Sequence, residues 1–206
     1  MIYIVNAENR ALFDAELSAM HRARKHIFVD RLGWQLSVRN GEEIDEYDTD
    51  CTTYLLTQSP QVTPIASARL LPTTGPHLMS NQFAHTCEGG APRGDHIWEA
   101  SRFCPSPALS RRERIAALWP IFCGILETAL LYDIAQIIFT ANTALLPLAL
   151  KCGWHARVLG PTFADGADTA TAVCVEVDRA GLRTLRRRFL VPSPITRFVS
   201  PARRAA

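Results

Sequence analysis

The chain has 206 residues, of which 48% are hydrophobic and 20% charged, with a formal net charge of +2. That length suits one domain with a full core, and the composition excludes a disordered or fibrous chain. A charge so close to balance does not by itself point to nucleic acid.

Ile2-Tyr3-Ile4-Val5 reads as a short strand. The opening residues have no basic region followed by an apolar run, which predicts no secretory leader and a cytoplasmic protein. Phe13, Leu17, Met20, Ile27 and Phe28 recur at three- and four-residue steps, predicting an amphipathic helix over 12–31 that Gly33 stops. Arg24 and Phe28 share one face of it. Residues 35–50 are polar and acidic without a period, which predicts a mobile loop carrying Asp45 and Asp48. Strands are expected at 52–56 and 65–71, joined through a turn between Pro60 and Pro64.

The Pro- and Gly-rich stretch 72–96 reads as a long irregular connection with one short helix near 79–83. A strand at 97–103, a long helix at 110–132 and a strand at 134–140 follow. A helix at about 143–152 ends at Gly153, a last strand spans 172–177, and a basic helix and tail occupy about 179–206. The apolar run 115–139 is long enough to cross a bilayer, but Pro120, Gly124, Glu127 and Asp133 interrupt it. A buried helix followed by a central strand explains it better, and no membrane insertion is expected. The sum is a single-domain α/β protein over 1–206, with a mixed, mostly antiparallel sheet and helices on both faces.

The six cysteines include no Cys-x2-Cys pair, so they give no zinc signal, and most read as small buried hydrophobes in a reduced protein. Arg183, Arg186, Arg187, Arg188, Arg197, Arg203 and Arg204 crowd the C-terminal end. They read as a solvated basic helix and tail, or as a docking patch for an acidic partner or a phosphate-bearing substrate.

Three strings carry the chemistry: Arg24-x3-Phe28-x4-Gly33-Trp34, Asp45-x2-Asp48 and Trp98-Glu99-Ala100-Ser101-Arg102-Phe103. They interleave arginines, carboxylates and aromatics. Such a set suits a small molecule with a carboxylate, a cationic centre and an aromatic base. Arg69 is a lone charge in a strand and needs a carboxylate partner, for which Glu99 is one candidate. Glu99 and Arg102 are three apart, so a regular strand sends them to opposite faces unless a bulge re-aims one.

Arg24, Phe28, Trp34, Asp45, Asp48, Arg69, Glu99 and Arg102, with the Arg-Leu-Leu-Pro-Thr-Thr and Glu-x-Ser-Arg-Phe strings, resemble LuxI-type acyl-homoserine-lactone synthases from the N-terminal helix to about Trp154. The resemblance implies a fold similar to the GCN5-related N-acetyltransferases. It implies a quorum-sensing signal made in two steps, N-acylation of S-adenosylmethionine by an acyl thioester and then lactonisation with release of methylthioadenosine. No cofactor or metal is implied: S-adenosylmethionine is a substrate, and the acyl group comes from acyl carrier protein or acyl-CoA. Glu99 is the leading candidate to take the amine proton, and Arg69 to orient it. Arg24 and Arg102 are candidates for the substrate carboxylate, Asp45 and Asp48 for its positive groups, and Phe28, Trp34 and Phe103 for walls. Ser101, Thr140 and Thr143 are the hydroxyls nearest an acyl pocket. The helix before Gly153-Trp154 keeps only Lys151 as a basic residue, which leaves open an acyl-CoA donor or docking through Arg111, Arg112, Arg114 and the C-terminal arginines; the resemblance alone favours acyl carrier protein. A generic acyl-CoA N-acyltransferase is the alternative, and Cys104 to Arg112 lack the glycine such an enzyme uses to cradle a pyrophosphate. A non-enzymatic signal- or nucleic-acid-binding protein leaves the carboxylates without a purpose.

Overall fold

The protein is described by a computed structural model covering residues 1–166, 168–191 and 193–201. Arg203 and Arg204 of the predicted basic tail lie outside the described residues. The chain opens with β1 (Ile2–Val5) and α1 (Asp14–Arg24), which loosens without a break into a π-helical stretch, Lys25–Arg31. β2 (Val38–Arg39) and β3 (Glu42–Glu43) form a small hairpin, followed by β4 (Thr53–Thr57) and β5 (Ala66–Pro72). Then come the short α2 (Leu78–Asn81), β6 (Ile97–Pro105), α3 (Arg111–Leu131) and β7 (Gln136–Ala141). α4 (Leu146–Lys151), β8 (His155–Val158), β9 (Phe163–Asp165), β10 (Asp168–Glu176), α5 (Arg179–Phe189) and β11 (Thr196–Phe198) complete it.

Eight strands run in the order β11-β1-β4-β5-β6-β7-β10-β8, with β9 beside β10. Among the described residues only β1–β11 and β6–β7 are parallel pairs. The expected mixed, mostly antiparallel α/β architecture is therefore present, with α3 and α5 on one face and α1 and α2 on the other. Burial decides how the long apolar helix is used. Ile121, Phe122, Ile125, Leu126 and Ala129 of α3 have no exposed surface and form the main core with β1, β4, β5 and β6. α3 lies so close to β1 that a Cβ on Gly124 would come within 2.7 Å of Ile2 Cδ1.

Two features position the site. β6 and β7 are paired only where Ile97, Trp98 and Glu99 lie opposite Gln136, Ile137 and Ile138. Beyond that point β6 stays with β5 and β7 stays with β10, so the two strands part in a wedge. β6 also carries a bulge, because Arg102 and Phe103, between Ser101 and Cys104, face the single Ala68 between Arg69 and Ser67. Arg102 sits in the bulge with φ at 52°, a left-handed conformation that turns its side chain out of alternation.

The stretch 35–50 is a correction to the expected mobile loop. Asn40 and Gly41, both at positive φ (52° and 79°), make a two-residue hairpin turn, and Tyr47 behind it is buried. β8, β9 and β11 are also strands that the periodicity does not announce.

Candidate active site

Three arginines meet three carboxylates on the sheet face that α1 covers. Arg24, at the last turn of α1, donates through Nε to Glu43 at 2.5 Å and through both terminal nitrogens to Asp48 at 2.9 Å. Arg69 of β5 reaches Asp45 at 2.5 Å and Asp48 at 3.0 Å through Nη1, and Ser101 Oγ at 3.0 Å through Nε. Arg102, re-aimed by the bulge, reaches Glu43 at 3.0 Å and Asp45 at 2.7 Å through Nη2. Arg24 and Arg69 are both 0% exposed. Charges so deeply buried persist only when matched, and here three positive groups face three negative ones.

The surroundings tighten this network. The Tyr54 hydroxyl donates to Asp48 at 2.8 Å, and the Asp45 backbone N–H donates to Asp48 at 2.9 Å. The guanidinium of Arg69 lies over Tyr47, and that of Arg102 lies over Phe28, on which Trp34 stacks at 5.1 Å. Arg24 and Arg69 hold Asp48 well below the usual carboxylate range against its burial, and Arg24 and Arg102 do the same for Glu43. One donor is unspent: Nη2 of Arg69 is buried without a hydrogen-bond partner. A buried guanidinium N–H without an acceptor is costly, and a ligand oxygen would satisfy it.

Glu99 stands apart from this network. It lies on the same face as Arg69 and Ser101, at the point where β6 and β7 part, and is 1% exposed. Its Oε2 accepts from the Leu78 N–H at 2.8 Å and its Oε1 from the Met79 N–H at 2.5 Å, both at the start of α2. Burial pushes its carboxyl up to about 7, although those two N–H groups, Arg69 and Arg102 pull the other way. A buried carboxyl that titrates near neutrality beside a cleft is suited to proton transfer.

A family model described as autoinducer synthase matches residues 8–185. The isovaleryl-homoserine lactone synthase of Bradyrhizobium diazoefficiens is 34% identical over 197 residues, which is 94% of this chain and 87% of that protein. The acyl-homoserine-lactone synthase of Agrobacterium fabrum is 31% identical over 185 residues, 87% of each. Among solved structures, the CoA-dependent acyl-homoserine lactone synthase BjaI with SAM and isopentyl-CoA superposes with a TM-score of 0.88 at 31% identity, covering 98% of this chain and 94% of that one.

The chain belongs to the autoinducer synthase family.

It is thus an acyl-homoserine-lactone synthase, an acyltransferase, as its motifs led one to expect. An N-acetyltransferase from Lactobacillus plantarum, 17% identical with a TM-score of 0.55 over 86% of this chain and 99% of that one, shares the fold alone.

The synthase brings together Arg24, Asp45, Asp48, Arg69, Ser101 and Arg102, with Phe28 and Trp34 against them and Glu99 alongside. Three expected roles need correcting on its geometry. Arg69 does not pair with Glu99: its Nε goes to Ser101 and its Nη1 to Asp45 and Asp48, while its Nη2 has no hydrogen-bond partner. Arg24 is enclosed by Glu43 and Asp48, so it orders the network and has no face toward a substrate. Phe103 follows the bulge and points to the α3 face, where it packs edge-on against Phe122 and Phe139. It is therefore on the opposite side of the sheet from Phe28 and Trp34.

The two threonines separate. Thr140 lies on the Glu99 face of β7, and its Oγ1 is buried without a partner. Thr143 turns away to β10, with its N–H on Asp168 and its hydroxyl 2.9 Å from that of Thr169. Glu43 was not singled out from the sequence. Counting charge calls for a third acid besides Asp45 and Asp48, because three arginines in apolar surroundings need one, but does not choose among Glu42, Glu43, Glu46 and Asp50.

Proposed function

We propose that Glu99 accepts the proton of the S-adenosylmethionine amine as that nitrogen attacks an acyl thioester. The N–C bond forms, the C–S bond of the thioester breaks and the thiol departs. In the second step the substrate carboxylate attacks its own γ-carbon. The carbon–sulfonium bond breaks, neutral methylthioadenosine leaves, and the charges of carboxylate and sulfonium cancel. This step needs a folded-back substrate more than it needs a catalyst, because the leaving group is already good. The observation that carries the reading is the placement of Glu99, a carboxyl titrating near 7 at the head of the β6–β7 wedge.

The buried Nη2 of Arg69 suits the substrate carboxylate, with Arg102 beside it. Phe28 and Trp34 suit the base and sulfonium. The wedge suits the thioester arm, and behind it Phe103, Phe122, Phe139 and Trp154 crowd together at ring distances of 4.9 to 6.1 Å. Such dense aromatic lining favours a short or branched acyl group. Acyl-CoA is the donor we favour, in keeping with the likeness to BjaI and to the isovaleryl-homoserine lactone synthase. A pyrophosphate approaching α3 would meet the exposed Arg111 and Arg112 in its first turn, in place of a glycine loop.

Glu99→Gln tests the assignment. A positioned proton acceptor contributes about 10²–10⁴-fold, so methylthioadenosine release should fall by that factor and the acid limb of the pH–rate profile, near pH 7 in the native enzyme, should vanish. Near-native turnover in the variant, with its limb intact, would rule Glu99 out.

A further inference from the structure

The connection 73–96, irregular by sequence, is laced shut at its base. Thr73 Oγ1 donates to the carbonyl of Ile97 at 2.8 Å and accepts from the Gly94 N–H at 3.0 Å. Arg93 spans three successive carbonyls: its Nε donates to Thr73 O at 3.1 Å, and its Nη2 donates to Thr74 O and Gly75 O, each at 3.2 Å. His77 then closes the turn. A carbonyl can only accept, so the ring nitrogen Nδ1, 3.1 Å from Gly75 O, carries the hydrogen. Burial, aided by the nearby Arg93, lowers the pKa of this imidazole and keeps it neutral. The next two residues, Leu78 and Met79, are the ones whose N–H groups hold the two oxygens of Glu99.

We infer that Arg93 is a positioning residue for Glu99: it fixes the carbonyls that lead into α2, and α2 delivers the two N–H donors that set how readily the Glu99 carboxylate gives up or holds its proton. The catalytic consequence rests on the reading of Glu99 as proton acceptor; the structural one does not. The charged groups facing Glu99 are Arg69 from β5 and Arg102 from β6, with the N–H pair from α2, while β7 offers the apolar Ile138 opposite it and the uncharged Thr140 further along the same face. Neither arginine is contacted by Arg93, whose side chain lies on the exposed side of the connection. A slack 73–77 turn lengthens the two N–H contacts, and a carboxylate that loses such donors holds its proton to higher pH.

The test is a carbon-13 titration of the Glu99 carboxyl in the full chain, assigned by its disappearance in Glu99→Gln. It compares the native protein with Arg93→Gln and Arg93→Lys. Lysine keeps the charge but cannot span three carbonyls, so it separates the clamp from a through-space field. Both variants should raise the Glu99 midpoint by about half a pH unit or more, with the acid limb of kcat/KM moving by the same amount. An unmoved midpoint in both would overturn the clamp. So would a midpoint that moves in Arg93→Gln alone, since charge would then suffice. A midpoint that moves while the acid limb stays put would uphold the clamp and overturn Glu99 as the proton acceptor.

Discussion

Glu99 ties the chemistry of this synthase to its stability. The carboxyl titrates near 7 in the fold but near 4.5 in an unfolded chain. Between those values the folded protein binds more protons than the unfolded one, so stability falls as pH rises through the window. Below 4.5 both states are protonated and Glu99 contributes nothing. Above 7 the full cost stands, about 3 kcal/mol from 1.36 kcal/mol per unit. Urea unfolding at pH 5 and pH 8 should therefore show native protein losing up to about 3 kcal/mol relative to Glu99→Gln between the two. Parallel pH dependence in both proteins would mean the carboxyl is not held in its neutral form. Asp48 and Glu43 act in the opposite sense, being held ionised by arginines, so what they contribute is lost only as pH falls toward the acid range. At this scale the sequence named most of the network, because arginines and acids in apolar company must meet. It could not assign partners: Arg69 and Glu99 are neighbours by strand order, yet Arg69 turns to Asp45, Asp48 and Ser101 and Glu99 to the N–H groups of Leu78 and Met79. Partner choice depends on the bulge at Arg102 and the placement of α2, which are tertiary facts.

At the level of elements, periodicity found what burial dictates. β1, α1, β4, β5, β6, α3 and β7 each bury a continuous face and so leave a pattern. β8, β9 and β11 do not, being short and, in β8 and β11, largely exposed. The β2–β3 hairpin was legible through Asn40-Gly41, the strongest short hairpin signal, but a run of polar residues reads first as loop. α3 carries an element-scale expectation. Ser110 and Glu113 form a reciprocal cap at its start, so the backbone there is spent internally and Arg111 and Arg112 are left to meet an anion. Arg111→Gln with Arg112→Gln should raise KM for acyl-CoA by about 10-fold, the worth of one or two exposed charge-assisted contacts, and leave KM for S-adenosylmethionine unchanged. Equal changes in both constants would point to a folding defect, and no change would place the pyrophosphate elsewhere.

Across the whole molecule, the sheet divides two chemistries. One face carries Arg24, Arg69, Arg102 and their three carboxylates under α1, and the other packs Phe103, Phe122, Phe139 and Trp154 under α3. Between them β6 and β7 part beyond Glu99, which stands at the head of that wedge. A reaction joining a charged amino-acid derivative to an apolar acyl chain needs that arrangement, with polar and apolar substrates meeting at a proton acceptor. The measurement that tests this most directly is mass spectrometry of the products from purified protein given S-adenosylmethionine and a panel of acyl-CoA and acyl-carrier thioesters. The account predicts an acyl-homoserine lactone and methylthioadenosine in equal amounts, fastest with a short or branched acyl-CoA. Acylation of other amines without methylthioadenosine would contradict it.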